Sequence, residues 1–172
     1  MSLLRRIKMK RYYYFAYGSN LNIDRMRSRI GYRPKYEKGI LYDYQFRTNK
    51  KAYTKGFGFA NVEPMKGRKV EGKLYLLTNK DFKKLDIYEG FPTQYTRLVV
   101  NIKLFSGKKI KAITYIASNP INKDLKISYD YAYHIEKGLK ELSKYYSMQL
   151  LALLDRLKGF YYFNKNNLTY FK

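Results

Sequence analysis

Between residues 12 and 22 the chain changes abruptly from one structural pattern to another, and this change constrains its fold more than any other feature. Residues 12–16 form an aromatic and apolar run that is typical of a buried strand. A Gly-Ser-Asn turn follows, and a helix-like pattern begins directly after it, with Asn22 as the expected N-cap and Gly31 as the expected end. The sequence therefore predicts a strand, a tight turn and a helix in direct succession.

This turn is suited to binding an anion. The first backbone amides of a helix have no partner within the helix, and they lie at the positive end of the helix dipole. Gly18 lets the backbone approach a ligand closely. The amides of Gly18, Ser19 and Asn20 are therefore candidates to hold an anion or a developing oxyanion. The alternative is that these residues form a structural turn without a further role.

A second informative segment is a short predicted helix in the middle of the chain. Asn79 is its expected N-cap, and Gly90 and Pro92 end it. Its expected apolar stripe has helical spacing and consists of Phe82, Leu85 and Tyr88.

Glu89 falls in the last turn of this predicted helix, and aromatic residues surround it in the sequence. A carboxylate in such an environment is a candidate general base. The alternative is an exposed acid that pairs with Lys83 or Lys84. The nearby Asp86 and Arg97 are more simply interpreted as structural residues. We expect Asp86 to form a local salt bridge or hydrogen bond and Arg97 to lie on the surface of a strand.

Together these segments resemble the gamma-glutamylcyclotransferase-like family, which includes AIG2-like and gamma-glutamylamine cyclotransferase-like proteins. The resemblance runs from about residue 12 to about residue 145, and its short motifs occur in the family's order. The glycine turn of the family is represented by Tyr17-Gly18-Ser19-Asn20, and its catalytic-glutamate segment by Leu85-Asp86 with Glu89-Gly90, then Tyr95 and Arg97. Two central strands correspond to residues 58–64 and 70–75. The helix with a pocket-lining tyrosine corresponds to Tyr131 with Ile135, Gly138 and Leu139.

The resemblance implies an α+β fold, namely a small mixed, largely antiparallel β-barrel flanked by helices. It also implies an enzyme that releases 5-oxoproline from a γ-glutamyl amino acid or amine, with Glu89 as the catalytic acid/base and without a metal or cofactor. Six residues are expected to bind the substrate: Tyr17, Gly18, Ser19, Asn20, Leu21 and Tyr131.

Charge leaves a second function open. The chain has 36 Lys and Arg against 13 Asp and Glu, a formal net charge of +23. Such an excess favours an anionic partner, namely nucleic acid, a membrane surface or an acidic metabolite. A solvated basic surface explains the same composition. The alternative function is therefore a basic nucleic-acid-binding protein on a catalytically silent cyclotransferase-like scaffold.

Composition excludes several other classes of protein. The chain has no cysteine and one histidine, His134, which excludes disulfides, thiolate catalysis and sites of several Cys or His ligands. We interpret His134 as structural. Apolar runs are too short to span a membrane, and the first residues do not resemble a secretory signal, so we expect a cytoplasmic protein.

We expect one domain over residues 1–172, with the family-like core at about 12–145, a basic arm at 1–11, and a C-terminal helix and aromatic tail at 146–172. Further strands are predicted over residues 39–48, 57–62, 70–77, 95–105 and 109–116, and a helix over 131–145. Ser147 is the expected cap of the last helix, which packs on the core or makes a dimer or membrane contact. A monomer and a homodimer both remain open. The expected apolar stripe of this last helix is Met148, Leu151, Leu154 and Leu157, widened by Leu150 and Leu153.

Overall fold

The computed structural model describes residues 10–159. Five strands form a closed barrel: β1 (Arg11–Ala16), β2 (Tyr36–Lys51), β3 (Gly58–Thr78), β4 (Tyr95–Leu104) and β5 (Lys109–Ala117). Around the barrel their order is β1-β3-β2-β4-β5. The neighbouring strands are antiparallel except β1 and β5, whose parallel pairing at Tyr14 and Ile113 closes the barrel.

The described residues also contain four α-helices, and a 3₁₀ turn (Ser19–Leu21) precedes the first of them. The helices are α1 (Ile23–Ile30), α2 (Asn79–Glu89), α3 (Tyr129–Leu139) and α4 (Lys144–Leu157). Two short parallel strands, β6 (Ile127–Ser128) and β7 (Lys158–Gly159), flank the last two helices. The mixed, largely antiparallel barrel with flanking helices confirms the predicted fold. None of the helices in residues 10–159 is both long and apolar enough to cross a membrane.

Strand β1 is buried on both of its faces, which fixes the position of the turn that follows it. Phe15 belongs to an apolar cluster that joins the barrel to α3 and α4. Tyr14 and Ala16 belong to a second cluster, in which Met26 of α1 and Phe82 of α2 pack against the barrel. Because successive side chains of a strand point to opposite faces, β1 lies between these two clusters.

The central part of the barrel differs from the prediction of two separate strands. Strand β3 continues through Pro64 and Gly67 because β2 pairs with both of its halves. Tyr42 pairs with Lys69 and Tyr44 pairs with Pro64, so residues 65–68 form an irregularity within one long strand. Loss of register of this kind is the mark of a β-bulge, which sequence periodicity does not reveal.

Two predicted helix starts are wrong. Helix α2 is capped by Thr78, not by Asn79: the Thr78 side chain accepts from the Asp81 amide, and the Asp81 carboxylate accepts from the Thr78 amide at 2.9 Å. Helix α4 is capped by Ser143, not by Ser147, because the Ser143 hydroxyl accepts from the Tyr146 amide at 3.3 Å. The buried Glu71 carboxylate holds Ser143 in place by accepting from its amide and hydroxyl at 3.0 and 2.7 Å.

The apolar faces of these helices shift accordingly. In α4, the buried residues are Tyr146, Leu150 and Leu154, whereas Met148 is exposed. Tyr88 of α2 is also exposed and does not join Phe82 and Leu85 in the core. The predicted basic arm lies outside the described residues except for Lys10 and Arg11, and the aromatic tail from residue 160 onward lies outside them as well.

The capping box of α2 gives a test of the fold. Thr78→Ala removes the side chain that accepts from the Asp81 amide, so we expect the free energy of unfolding to fall by about 1 kcal/mol. Asn79→Ala is the matched control, since Asn79 is an exposed first-turn residue; its effect should stay within about 0.5 kcal/mol. Urea unfolding followed by circular dichroism measures both. A larger loss for Asn79→Ala would contradict the assigned cap.

Candidate active site

The glycine turn joins β1 to α1 and is packed tightly against the barrel. A Cβ atom on Gly18 would lie 2.9 Å from the Cβ of Ala60 and 3.4 Å from the hydroxyl of Tyr131. The Leu21 amide donates to the Gly18 carbonyl at 2.9 Å, which closes the 3₁₀ turn. Glycine is therefore required here by the close approach of β3 and α3.

The turn presents its backbone amides to a cavity. Among the described residues, no acceptor is found for the amides of Gly18, Ser19 and Asn20. All three residues line an inner pocket of about 30 Å³. Unpaired amides that face a pocket at the start of a helix can hold an anionic oxygen.

Glu89 lies on the wall of the same pocket, at the end of α2. Its Oε1 atom accepts a hydrogen bond from Asn20 Nδ2 at 3.1 Å. The Arg29 guanidinium, which comes from the last turn of α1, donates to the same Oε1 at 2.8 Å and to Asn20 Oδ1 at 2.9 Å. The Glu89 side chain is only 15% exposed. The structure thus places the predicted acid and the predicted glycine turn side by side.

The inner pocket is surrounded by tyrosines that stay protonated. Burial raises the pKa of Tyr14, Tyr17, Tyr95, Tyr115 and Tyr131 above the ordinary value. The negative charge of Glu89 adds to this effect at four of them, Tyr115 being the exception. Neutral tyrosines give this pocket polar hydroxyl groups and apolar walls, but no further charge.

The predicted substrate-binding residues differ in whether they reach the cavity and in whether a hydroxyl hydrogen remains free. Tyr131 accepts from the Ala60 amide at 3.0 Å, which leaves its hydroxyl hydrogen available to a ligand. The Tyr17 hydroxyl donates to the Tyr115 carbonyl at 2.6 Å, so Tyr17 shapes the pocket but its hydrogen is already used. The structure does not bring Leu21 to the cavity, because its side chain is buried in the core against Gly138.

An outer cavity of about 540 Å³ adjoins the inner pocket, and four residues line both: Ser19, Glu89, Tyr95 and Tyr131. Four cations also line the outer cavity, namely Arg25, Arg29, Lys50 and Lys51. Glu89 is the one acid among its described lining residues. The cavity is therefore suited to an anionic ligand that reaches Glu89 at its inner end.

The residues interpreted as structural in the sequence have structural contacts. Arg97 forms two hydrogen bonds with Asp86, at 3.1 and 2.6 Å, and Tyr115 donates to the same carboxylate at 2.7 Å. The Nδ1 atom of His134 lies 2.9 Å from the side-chain Nδ2 atom of Asn22, and burial lowers the pKa of His134. Within residues 10–159, no group of three His, Asp or Glu side chains is placed to hold a metal ion.

Sequence reasoning missed the basic residues of the site. Arg25 and Arg29 are four residues apart on α1 and so share one face, a spacing that was visible in the sequence. Lys50 comes from the end of β2, and no local pattern distinguishes it from the many other lysines. The sequence predicts Tyr14 and Tyr115 only as strand residues, whereas Tyr95 also belongs to the motif of the catalytic-glutamate segment.

A larger cavity, of about 620 Å³, lies elsewhere in the barrel, where β2 and β4 separate beyond their pairing at Gly39 and Ile40. Exposed Val99 and Tyr42 line it together with residues of both strands. Asp43, the one acid among the described residues that line it, accepts from the Gly67 amide, so the candidate site is the tyrosine-lined cavity at Glu89.

The closed five-stranded barrel with its flanking helices is the fold of a solved gamma-glutamyl cyclotransferase structure. The chain matches the family described as gamma-glutamyl cyclotransferase, AIG2-like, over residues 14–135, and it belongs to that family. The predicted family is thereby confirmed. No curated protein matches the chain.

Solved structures share the fold. A gamma-glutamyl cyclotransferase is 24% identical with a TM-score of 0.74, over 83% of this chain and 88% of that one. The human protein LOC79017 is 24% identical with a TM-score of 0.72, over 83% and 87% of the two chains. YkqA from Bacillus subtilis is 22% identical with a TM-score of 0.76, over 87% of this chain and 56% of its own.

The buried tyrosines give a pH prediction. Since the pKa of each is raised in the folded state above 10.0, their contribution to stability is complete below about pH 10 and is lost as the pH rises further, because the unfolded tyrosines ionise first. Each raised tyrosine lowers the free energy of unfolding by about 1.4 kcal/mol per pH unit in that range. Urea unfolding at several pH values between about 9.5 and 11.5 measures the slope.

The control for this measurement is Tyr95→Phe. It removes one buried hydroxyl, so the decrease above pH 10 should become shallower by about 1.4 kcal/mol per pH unit. Tyrosinate absorbance should show fewer ionised tyrosines in the folded protein than in urea at the same pH. An equal degree of ionisation in both states would contradict the burial of these hydroxyls.

Proposed function

We propose that the chain is an enzyme that releases 5-oxoproline from a γ-glutamyl amino acid or amine, with Glu89 as the group that transfers protons. The observation that carries this proposal is the position of Glu89 Oε1, 3.1 Å from Asn20 Nδ2 and on the same pocket as the unpaired amides of the glycine turn. Membership of the family supports the same reaction.

In this reaction the α-amine of the γ-glutamyl group attacks its own γ-carbonyl carbon. A carbon–nitrogen bond forms to close the five-membered ring, and the bond from the same carbon to the leaving nitrogen breaks. The α-ammonium loses two protons in all, and the leaving amine gains two. Because the nucleophile and the electrophile belong to one molecule, the protein must mainly hold the substrate in an attacking conformation.

Glu89 is proposed to carry these protons. It takes one proton from the α-ammonium before the attack and delivers it to the leaving nitrogen as the tetrahedral intermediate collapses. It then takes the second proton from the ring nitrogen and delivers it to the released amine. Proton transfer by a positioned side chain contributes on the order of 10²- to 10⁴-fold. Arg29 and Asn20 hold the carboxylate through Oε1, which leaves its other oxygen available to the substrate.

The glycine turn is proposed to stabilise the oxyanion on the γ-carbonyl oxygen. Its three amides are fixed by β1 and α1 before substrate arrives, so no reorganisation is needed in the transition state. Tyr131 adds a hydroxyl donor beside them, and Tyr17 shapes the wall. Arg25, which lines the outer cavity and whose buried Nε atom has no hydrogen-bond partner among the described residues, is proposed to bind the α-carboxylate of the γ-glutamyl group.

Replacing the acid tests the proposal most simply. Glu89→Gln keeps the size of the side chain and one acceptor oxygen for Arg29 and Asn20, so the fold should be retained, while 5-oxoproline release should fall by about 10²- to 10⁴-fold. Glu37→Gln is the matched control, because Glu37 is exposed on β2 and lines neither the inner pocket nor the outer cavity. Chromatographic measurement of 5-oxoproline from a panel of γ-glutamyl compounds provides the rates. Full activity in Glu89→Gln would reject its assigned role.

Gly18→Ala tests the turn. The added Cβ would meet Ala60 at 2.9 Å and approach the Tyr131 hydroxyl, so the turn must move away from its present position. Displacement of the amides should lower kcat/KM by more than about tenfold. The same chromatographic assay measures this loss, and a thermal melt checks the fold. An unchanged kcat/KM in a folded variant would show that the amides of the turn do not meet the reacting carbonyl.

A further inference from the structure

Lys50 is a buried cation at the outer cavity for which the fold supplies no acid. The residue is 8% exposed and lines the cavity from the end of β2. Its ammonium donates to the Lys51 carbonyl at 2.7 Å and lies 5.8 Å from the centre of the Tyr95 ring. Among the described residues, no Asp or Glu forms an ion pair with it. Burial lowers the pKa of Lys50.

The other buried lysine of the barrel shows the contrast. Lys73 is fully buried, and its ammonium pairs with the Glu141 carboxylate at 2.7 Å. Burying an ammonium group is costly unless an opposite charge accompanies it. Lys73 meets this requirement within the protein, whereas Lys50 meets it only in part, through a carbonyl and an aromatic ring. The position of Lys50 on a cavity wall indicates that the missing partner is a ligand.

The four cations of the outer cavity differ in their surroundings. Arg29 is paired with Glu89, and Lys51 is exposed at the end of β2. Arg25 lies one helical turn before Arg29 on α1, and its buried Nε atom has no hydrogen-bond partner among the described residues. Lys50 lies beside the Tyr95 ring. A γ-glutamyl amino acid carries two carboxylates, one on the glutamyl group and one on the leaving amino acid, whereas a γ-glutamylamine lacks the second.

We propose that Lys50 binds the carboxylate of the leaving amino acid, so that the site selects γ-glutamyl amino acids over γ-glutamylamines. This inference rests on the proposed function for the identity of the substrate. It assigns Arg25 to the carboxylate of the glutamyl group and Lys50 to the carboxylate of the leaving group, and it leaves the reacting bond between them beside Glu89.

Two unreactive probes separate this inference from the reaction itself. Glutaryl-L-alanine is γ-glutamyl-L-alanine without the α-amine, so it cannot cyclise but keeps both carboxylates. Glutaric acid mono-ethylamide also lacks the second carboxylate. Calorimetry on the wild-type protein and on Lys50→Met measures the affinity of both probes. Methionine keeps the length and apolar stem of lysine and removes its charge.

We expect the wild-type protein to bind glutaryl-L-alanine about 10- to 100-fold more tightly than the ethylamide. In Lys50→Met this preference should disappear, while the affinity for the ethylamide should change by less than about twofold. Arg25→Met should weaken both probes alike. Lys108→Met, which removes one charge from the turn between β4 and β5, is the control for net charge and should change neither affinity. Lys50→Gln replaces Lys50→Met if methionine disturbs folding.

Three results would overturn the inference: equal affinity of the two probes for the wild-type protein, no binding of either probe, or a preference that survives in Lys50→Met. Release of 5-oxoproline from γ-glutamyl-L-alanine is measured separately on the wild-type protein. No release together with a Lys50-dependent preference would refute the proposed reaction and leave Lys50 as a carboxylate-binding residue. Release without such a preference would refute the role of Lys50 alone.

Discussion

The ion pair between Arg29 and Glu89 is the interaction on which the candidate site depends. Arg29 lies in the last turn of α1 and Glu89 in the last turn of α2, and Asn20 joins both of them to the glycine turn. A cation is favoured at a helix C-terminus and an anion is disfavoured there, so the pair offsets the unfavourable position of Glu89. Without Arg29, a largely buried carboxylate would lose its opposite charge.

The barrel supplies the rigidity that this arrangement needs. Strand β1 is held between two apolar clusters, and the glycine turn leaves it directly toward the cavity. Its Tyr14 packs against Tyr75 and edge-on against Tyr115, with ring centres 6.2 and 5.7 Å apart. Functional groups mounted on packed strands and helices are positioned more accurately than groups on free loops.

Local signals made part of this arrangement predictable. Gly31, Gly90 and Gly107 each adopt a positive φ at a predicted helix end or hairpin, where glycine is favoured for steric reasons. Long-range contacts determine the cap of α2 and the partner of Glu89, which local signals did not predict. Asn79 is as good a cap by type as Thr78, but the Tyr32 hydroxyl also donates to Asp81 and stabilises the capping box of Thr78. Arg29 meets Glu89 across 60 residues of sequence, so no local pattern could reveal the pair.

The most direct measurement of the central claim is a titration of the isotope-labelled protein with the proposed product, 5-oxoproline, followed by nuclear magnetic resonance. If the glycine turn and Glu89 share one binding cavity, the amide signals of Gly18, Ser19 and Asn20 should shift together with the carboxyl signal of Glu89 and reach saturation at one concentration of ligand. Shifts confined to the crevice between β2 and β4, or shifts of the turn without Glu89, would contradict this claim.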